Sequence, residues 1–450
     1  MIDVKSKINS FFVFNSNFGP KEGEELKRIL FYFPNHISAD ARKIQVGLCE
    51  AVVKFMTTFS SEPCEALQTQ TKRYIFYQPE KGFWMVLVVP LPYAKALPAT
   101  GDSRGDVVLP SVMFDLLVSA YKMYRMFEGL FNDTLPEELY AKCEQFFTHY
   151  LSSKRISNDV SDVIPGINYL PLDKNLFFRV LCFIDVVEVN YPDYRCVSFV
   201  YNDQIIWNGL SNDDMLTLHR HLTQNLLPEQ IEKELQGGAI AAAQRHGRFI
   251  SPKDGIRSKD DIEKILKVFL MREDDSEANE YYLIVYRTLS ATICFTAEVS
   301  VTLEYEKLKS LDAFIGPQLF SIASDISEQC TVNAIQNAQL ANTENKFVYF
   351  NRLNLAFKSS CLVNKLIPST AIKTEVLSII ADIHADRKSL GNYGEIIIKT
   401  PDEYWITGKS SNDREFYVVI QEKNANLKDI ADEVRRICEA QMKGIFFYPM

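Results

Sequence analysis

The run Thr407-Gly408-Lys409-Ser410 has the residue types that close a phosphate-binding loop. Such a loop also needs a glycine five positions before Gly408, where the backbone bends so that its amides can wrap a phosphate. Position 403 is Glu403, and strand-like runs flank the tetrapeptide on both sides. The spacing therefore predicts a hairpin turn and no nucleotide site. His219-Arg220-His221 offers two imidazoles, but residues two apart on a helix do not share a face, and chelating pairs stand three or four apart. These histidines are expected to face solvent or a partner. The other four, His36, His149, His246 and His384, have no HExxH or HxxxH neighbourhood. No GxGxxG occurs, and acidic pairs such as Asp213-Asp214 and Asp274-Asp275 suit a helix N-terminus or a turn. The expectation is a chain with no catalytic residues, no cofactor and no metal.

The elements that carry these residues belong to a globular chain. Its 450 residues, 47% hydrophobic and 24% charged, fit two to four domains of ordinary size. A net charge of −9 argues against a nucleic-acid partner, whose footprint would be a basic patch. Met1 to Asn9 carries charges without the apolar core of a signal peptide. The most apolar stretch, Tyr281 to Val301, is broken by Arg287 and Glu298 and reads as paired strands, not a membrane span. Nine cysteines without a CxxC suggest reduced thiols, hence a soluble, cytoplasmic protein.

Three segments begin alike: Phe12-Val13-Phe14-Asn15, Phe199-Val200-Tyr201-Asn202 and Phe347-Val348-Tyr349-Phe350-Asn351. Each is an aromatic and β-branched run ending in a turn-prone Asn. Two strands, an amphipathic helix, more strands and a closing helix follow each time, allowing for losses. In the closing helix of the second unit, Leu308, Leu311, Ile315, Leu319, Ile322 and Ile326 form one apolar face. Thr134-Leu135-Pro136-Glu137 reads as a capping box opening a short helix, and Asn426 as the cap of the last helix. The predicted class is α+β: three domains, each a mostly antiparallel sheet of about five strands flanked by helices, over 1–154, 166–330 and 346–450. Polar stretches Ser152–Pro165 and Thr331–Asn345 are the expected linkers, and Leu91–Asp106 and Pro228–Asp261 the expected mobile loops.

The helix expected over Ala41–Phe59 has two apolar stripes. Ile44, Leu48, Val52, Phe55 and Phe59 form one and are expected to face the core. Val46, Cys49, Val53 and Met56 form a second. A helix apolar nearly all round is covered on two sides, either within its own domain or by a second subunit.

At these same stretches the chain resembles the Ccz family, the vacuolar fusion or calcium–caffeine–zinc sensitivity proteins, and its animal members in particular. The resemblance rests on Asn17-Phe18-Gly19-Pro20 with Glu22-Gly23-Glu24-Glu25, Val46-Gly47-Leu48-Cys49-Glu50-Ala51, and Phe83-Trp84-Met85-Val86. It continues in Tyr201-Asn202-Asp203-Gln204, Gly316-Pro317-Gln318-Leu319 and Lys423-Asn424-Ala425-Asn426-Leu427. It implies three longin domains and a subunit of a guanine-nucleotide exchange factor for a late-endosomal Rab GTPase. A Mon subunit is the implied obligate partner, pairing through the first longin domain, with Val46, Cys49, Glu50, Val53 and Met56 as the expected interface. The Rab contact is expected at Pro34, Asn35 and His36. A third scaffold subunit and phosphoinositide membranes, reached through the complex, complete the implied partners. Recruitment is expected at endosomal, lysosomal and autophagosomal membranes. A longin-type adaptor or tether without exchange activity remains an alternative.

Overall fold

The structure, a computed structural model, describes residues 2–60, 63–91, 109–156, 159–236, 247–251, 255–256, 258–271, 278–340, 346–360, 372–386 and 393–442. Most of the expected loop Leu91–Asp106, and parts of Pro228–Asp261, lie outside these residues. The chain divides into two compact units, Met1–Pro165 with Ala371–His384, and Gly166–Thr370 with Ala385–Met450.

In the first unit the strands are β1 (Ser10–Asn15), β2 (Ile29–Phe33), β3 (Ala66–Gln68), β4 (Lys72–Tyr77) and β5 (Phe83–Pro90). They form one antiparallel sheet in the order β2-β1-β5-β4-β3. All six residues of β1 are buried, because both faces of the sheet are covered. Helix α1 (Ala39–Met56) packs on Phe12, Phe14, Tyr32, Phe76 and Trp84. On the other face lie α2 (Pro110–Glu128) and α3 (Pro136–Ser153). There the Phe147 ring of α3 meets Phe11 at 5.4 Å and Phe31 at 5.5 Å. The Glu80 carboxylate anchors α2 to the loop beyond it, accepting from Tyr121 Oη and from the Phe131 and Asn132 amides. Helix α3 is 18 residues long rather than short, and the expected capping box does not form. With Pro136 at its first position the cap falls on Leu135, and the Thr134 hydroxyl donates to the Leu130 carbonyl instead. The expected linker after α3 is packed: Arg155–Ile156 pairs with Ile2–Asp3, and Ile164 is fully buried.

The second unit holds two six-stranded sheets. Its elements in chain order are β6 (Ile167–Asn168), α4 (Lys174–Asn190), β7 (Arg195–Tyr201), β8 (Gln204–Asn208), and α5 (Asn212–His221), which a π turn joins to α6 (Leu227–Gln236). Then come β9 (Arg248–Phe249), β10 (Leu266–Met271), β11 (Ala278–Thr288), β12 (Ala291–Glu298) and α7 (Tyr305–Leu340). The last group is β13 (Lys346–Asn351), β14 (Ala356–Ser359), β15 (Tyr393–Lys399), β16 (Tyr404–Ser411), β17 (Arg414–Gln421) and α9 (Leu427–Gln441). Between β14 and β15 the chain forms α8 (Thr374–Ala385), which groups with the first unit.

The strand orders are β8-β7-β12-β11, with β9 and β10 both on β11, and β15-β16-β17-β13-β14-β6. If the five main strands of each sheet are counted in chain order, all three sheets read second, first, fifth, fourth, third. The threefold similarity of the opening strands is thus a threefold repeat of topology. Segment Gly166–Leu170 joins the two sheets of this unit. Strand β6 pairs in parallel with β14, and Tyr169 bridges in parallel to Ile205 of β8. Gly166 is required there, since a Cβ would lie 2.4 Å from Phe357 Cβ and 3.1 Å from the Leu355 carbonyl.

Helix α7 buries the predicted face from Leu308 to Ile326 and keeps Pro317 inside it. It continues to Leu340, into the stretch expected to be a linker. Asn426 caps α9 as expected, accepting from the Lys428 and Asp429 amides. Thr407, Gly408, Lys409 and Ser410 lie inside β16, paired to β15 and β17, and the turn falls at Asn412-Asp413. Backbone groups committed to two neighbouring strands cannot cradle a phosphate.

Candidate partner interface

Helix α1 starts where the Ser38 hydroxyl accepts from the Ala41 amide, with Asp40 in the first turn favouring the positive end of the helix dipole. Its two stripes are assigned opposite to expectation. Val46, Cys49 and Val53 face the sheet and are at most 6% exposed. Ile44 is 74% exposed, Phe55 62%, Phe59 73%, and Leu48 and Met56 are also exposed. Complementary packing explains the choice. The sheet face is already bulky, with Phe12, Phe14, Tyr32, Tyr74, Phe76 and Trp84. Smaller helix residues let α1 approach it closely, and the large ones are left outside.

The inner side also carries the polar contacts. Gln45 Nε2 donates to Ser10 Oγ at 2.9 Å, and its Oε1 accepts from Tyr32 Oη at 2.7 Å. Glu50, part of the expected interface, accepts from Lys54 Nζ at 2.6 Å and Arg28 at 2.9 Å. Arg28 donates in turn to the Gly19 carbonyl, so Glu50 ties the β1–β2 loop to the helix. Burial pushes the Glu50 carboxyl upward, but the hydrogen bonds from Lys54 and Arg28 outweigh it and hold the group below the usual carboxylate range. Burial raises the Cys49 thiol to about 12, which keeps it protonated and inert. Val46, Cys49, Glu50 and Val53 are therefore internal to the domain. Met56 alone of that set reaches the outer surface.

The exposed residues Ile44, Leu48 and Phe55 run along one line of the helix and continue into Phe59 in the turn after it, with the Phe55 and Phe59 rings 4.8 Å apart. Gly47 and Ala51, beside it, are exposed too, and a Cβ on Gly47 would meet nothing within 4 Å. Strand β2 is the edge of the sheet beneath α1. Pro34, Asn35 and His36 lie between that edge and α1. Asn35 Nδ2 donates to Glu144 at 3.1 Å, its carbonyl accepts from Arg42, and the Arg42 guanidinium stacks on the Tyr32 ring. Asn35 and His36 are exposed and Pro34 is half-buried. An open groove of about 730 Å³, lined by Phe18, Leu26, Pro136 and Tyr140 among others, had no signal in the sequence because its walls come from distant segments.

His219 is buried, contrary to expectation, with Nε2 2.7 Å from the Asp203 carbonyl. Burial lowers its pKa and keeps the ring neutral. Gly101-Asp102-Ser103-Arg104-Gly105 spells the GxSxG of a nucleophile elbow. An elbow needs a strand directly before and a helix directly after. The pentapeptide and the residues on both sides of it lie outside the described residues. Among the described residues no group of three His, Cys, Asp or Glu could hold a metal ion, and no helix is long and apolar enough to cross a membrane.

Residues 8–129 match the family model for the first longin domain of INTU, CCZ1 and HPS4. Residues 195–319 and 341–437 match the models of Intu longin-like domains 2 and 3. Together with the repeated sheet order, these matches define a protein of three longin-like domains. The vacuolar fusion protein CCZ1 homolog of Xenopus tropicalis is 38% identical across 97% of this chain and 96% of its own. That of Danio rerio is 37% identical across 97% and 95%, and that of Dictyostelium discoideum 26% across 98% of both. The chain belongs to the family of vacuolar fusion protein CCZ1 homologs.

Proposed function

We propose that this chain is the non-catalytic subunit of a heteromeric guanine-nucleotide exchange factor for a late-endosomal Rab, acting in endosome maturation, lysosomal fusion and autophagic flux. The collinear similarity to vacuolar fusion proteins along nearly the whole chain carries this reading. The first longin-like domain pairs with its counterpart in a Mon subunit through the outer face of α1 and the turn after it, namely Ile44, Leu48, Phe55, Met56 and Phe59. The exposure of that stripe beside an edge strand supports the assignment. The Rab is bound across the pair, with Pro34, Asn35 and His36 at the margin of the contact. A third scaffold subunit and phosphoinositide lipids bring the assembly from the cytoplasm to endosomal, lysosomal and autophagosomal membranes.

No covalent chemistry is involved. An exchange factor binds the nucleotide-free GTPase better than the loaded one and so shifts the population toward release. Moving a two-state balance from 1:99 to 99:1 takes about 5.5 kcal/mol of differential binding, within reach of a modest protein interface. The test mixes Rab loaded with a fluorescent nucleotide with the chain, the Mon subunit, or both. Release is expected only with both. Release by the chain alone, or none with the pair, overturns the reading.

A further inference from the structure

The third sheet ends in β15, which pairs with β16 along its full length and, among the described residues, with nothing on its other side. The pairing runs from Tyr393 opposite Ser411 to Lys399 opposite Trp405 without a bulge, and the strand has no proline. A free strand edge is a row of N–H and C=O groups ready to template another strand, and native proteins usually blunt it with bulges, prolines or central charges. Strand β15 has none of these. Its centre is Ile396-Ile397-Ile398, each half-buried. Ile396 stands opposite Gly408, which offers it no side chain. The charges sit outside this core, at exposed Glu395 and Lys399.

Laid antiparallel against itself about Ile397, the segment Glu395-Ile396-Ile397-Ile398-Lys399 complements itself. Glu395 falls opposite Lys399 of the other copy, Ile396 opposite Ile398, and Ile397 opposite Ile397. Opposite charges facing each other across strands attract, and like charges repel. A slip of two residues, the smallest that keeps each side chain on its face, sets Glu395 or Lys399 against Ile397 and removes both ion pairs, and a slip of four sets Glu395 against Glu395 or Lys399 against Lys399. The charge pattern therefore selects one register and one occupant. We propose that β15 is a self-association edge: two copies of this chain pair their β15 strands antiparallel about a two-fold axis at Ile397, merging two six-stranded sheets. This surface shares no residue with the α1 interface and does not depend on it.

One strand edge is smaller than a standard interface, so the association is expected in the micromolar range. Sedimentation equilibrium of the full chain, from about 1 to 200 µM, should show a monomer–dimer equilibrium. Glu395→Lys and Lys399→Glu each create two like-charge pairs in the dimer and should weaken it at least about tenfold. The double variant restores complementarity and should return to within about threefold of the starting affinity. Lys399 lies over the Trp405 ring, and that contact is lost in the Lys399→Glu and double variants alike, so recovery in the double variant cannot come from the monomer's fold. A chain monomeric throughout, single variants that associate normally, or a double variant that stays weak would overturn the proposal.

Discussion

Val46 and Phe55, on the same helix, should respond oppositely to aspartate. Val46 is 3% exposed, among Phe12, Phe14 and Tyr32. Val46→Asp gives up about 1.5–3 kcal/mol of apolar burial. The carboxyl left there without partners costs about 1–3 kcal/mol more. The sum, about 2.5–6 kcal/mol, is a large share of the roughly 5–15 kcal/mol that holds a domain folded. The melting midpoint should fall by about 10 °C or more. Phe55 is 62% exposed, and Phe55→Asp should change stability by less than about 0.5 kcal/mol. In the complex the same aspartate would be an unpaired charge in an apolar interface, costing about 3 kcal/mol or more, roughly a hundredfold in affinity. Differential scanning calorimetry and titration calorimetry against the Mon subunit separate the two effects. Wild-type melting of Val46→Asp would refute the assignment of the helix faces. Undiminished binding by Phe55→Asp would refute the outer stripe as the interface.

Glu50→Gln should cost about 1–2 kcal/mol at pH 7 in urea unfolding, because Arg28 and Lys54 lose their shared carboxylate. Since the folded carboxyl titrates below the usual 4.5, its contribution is complete above that pH and lost as pH falls through the lowered value. The gap between the two proteins should therefore close on acidification below about pH 4.5. His219 is held neutral in the fold, so its contribution is complete above the usual 6.5 and lost as pH falls below it. His219→Gln should flatten the stability profile between pH 7 and about pH 5.5, and an unchanged profile would contradict its burial. Gly166→Ala should lower the melting midpoint, with a loss of about 1–3 kcal/mol, since its Cβ would meet Phe357. Wild-type melting would mean that the 166–170 segment yields without cost.

Much of the architecture was legible because it is written in short-range patterns. The aromatic runs opening each unit, the turn-prone Asn that ends each, the apolar steps of α7 and the Asn426 cap all act within a few residues, and each stands where the pattern puts it. Periodicity also revealed that α1 has two apolar stripes. It could not say which one turns inward, because that depends on the size of side chains on strands up to about fifty residues away. The aromatic face of the sheet admits Val46, Cys49 and Val53 and leaves Ile44, Leu48, Phe55 and Phe59 outside. The same limit explains the other departures. The place of Thr407 to Ser410 within β16 follows from its pairing on both sides, and the burial of His219 from the Asp203 carbonyl sixteen residues away. Local residue order decides which element forms, whereas burial depends on what the rest of the chain brings against it, and only the tertiary structure settles that.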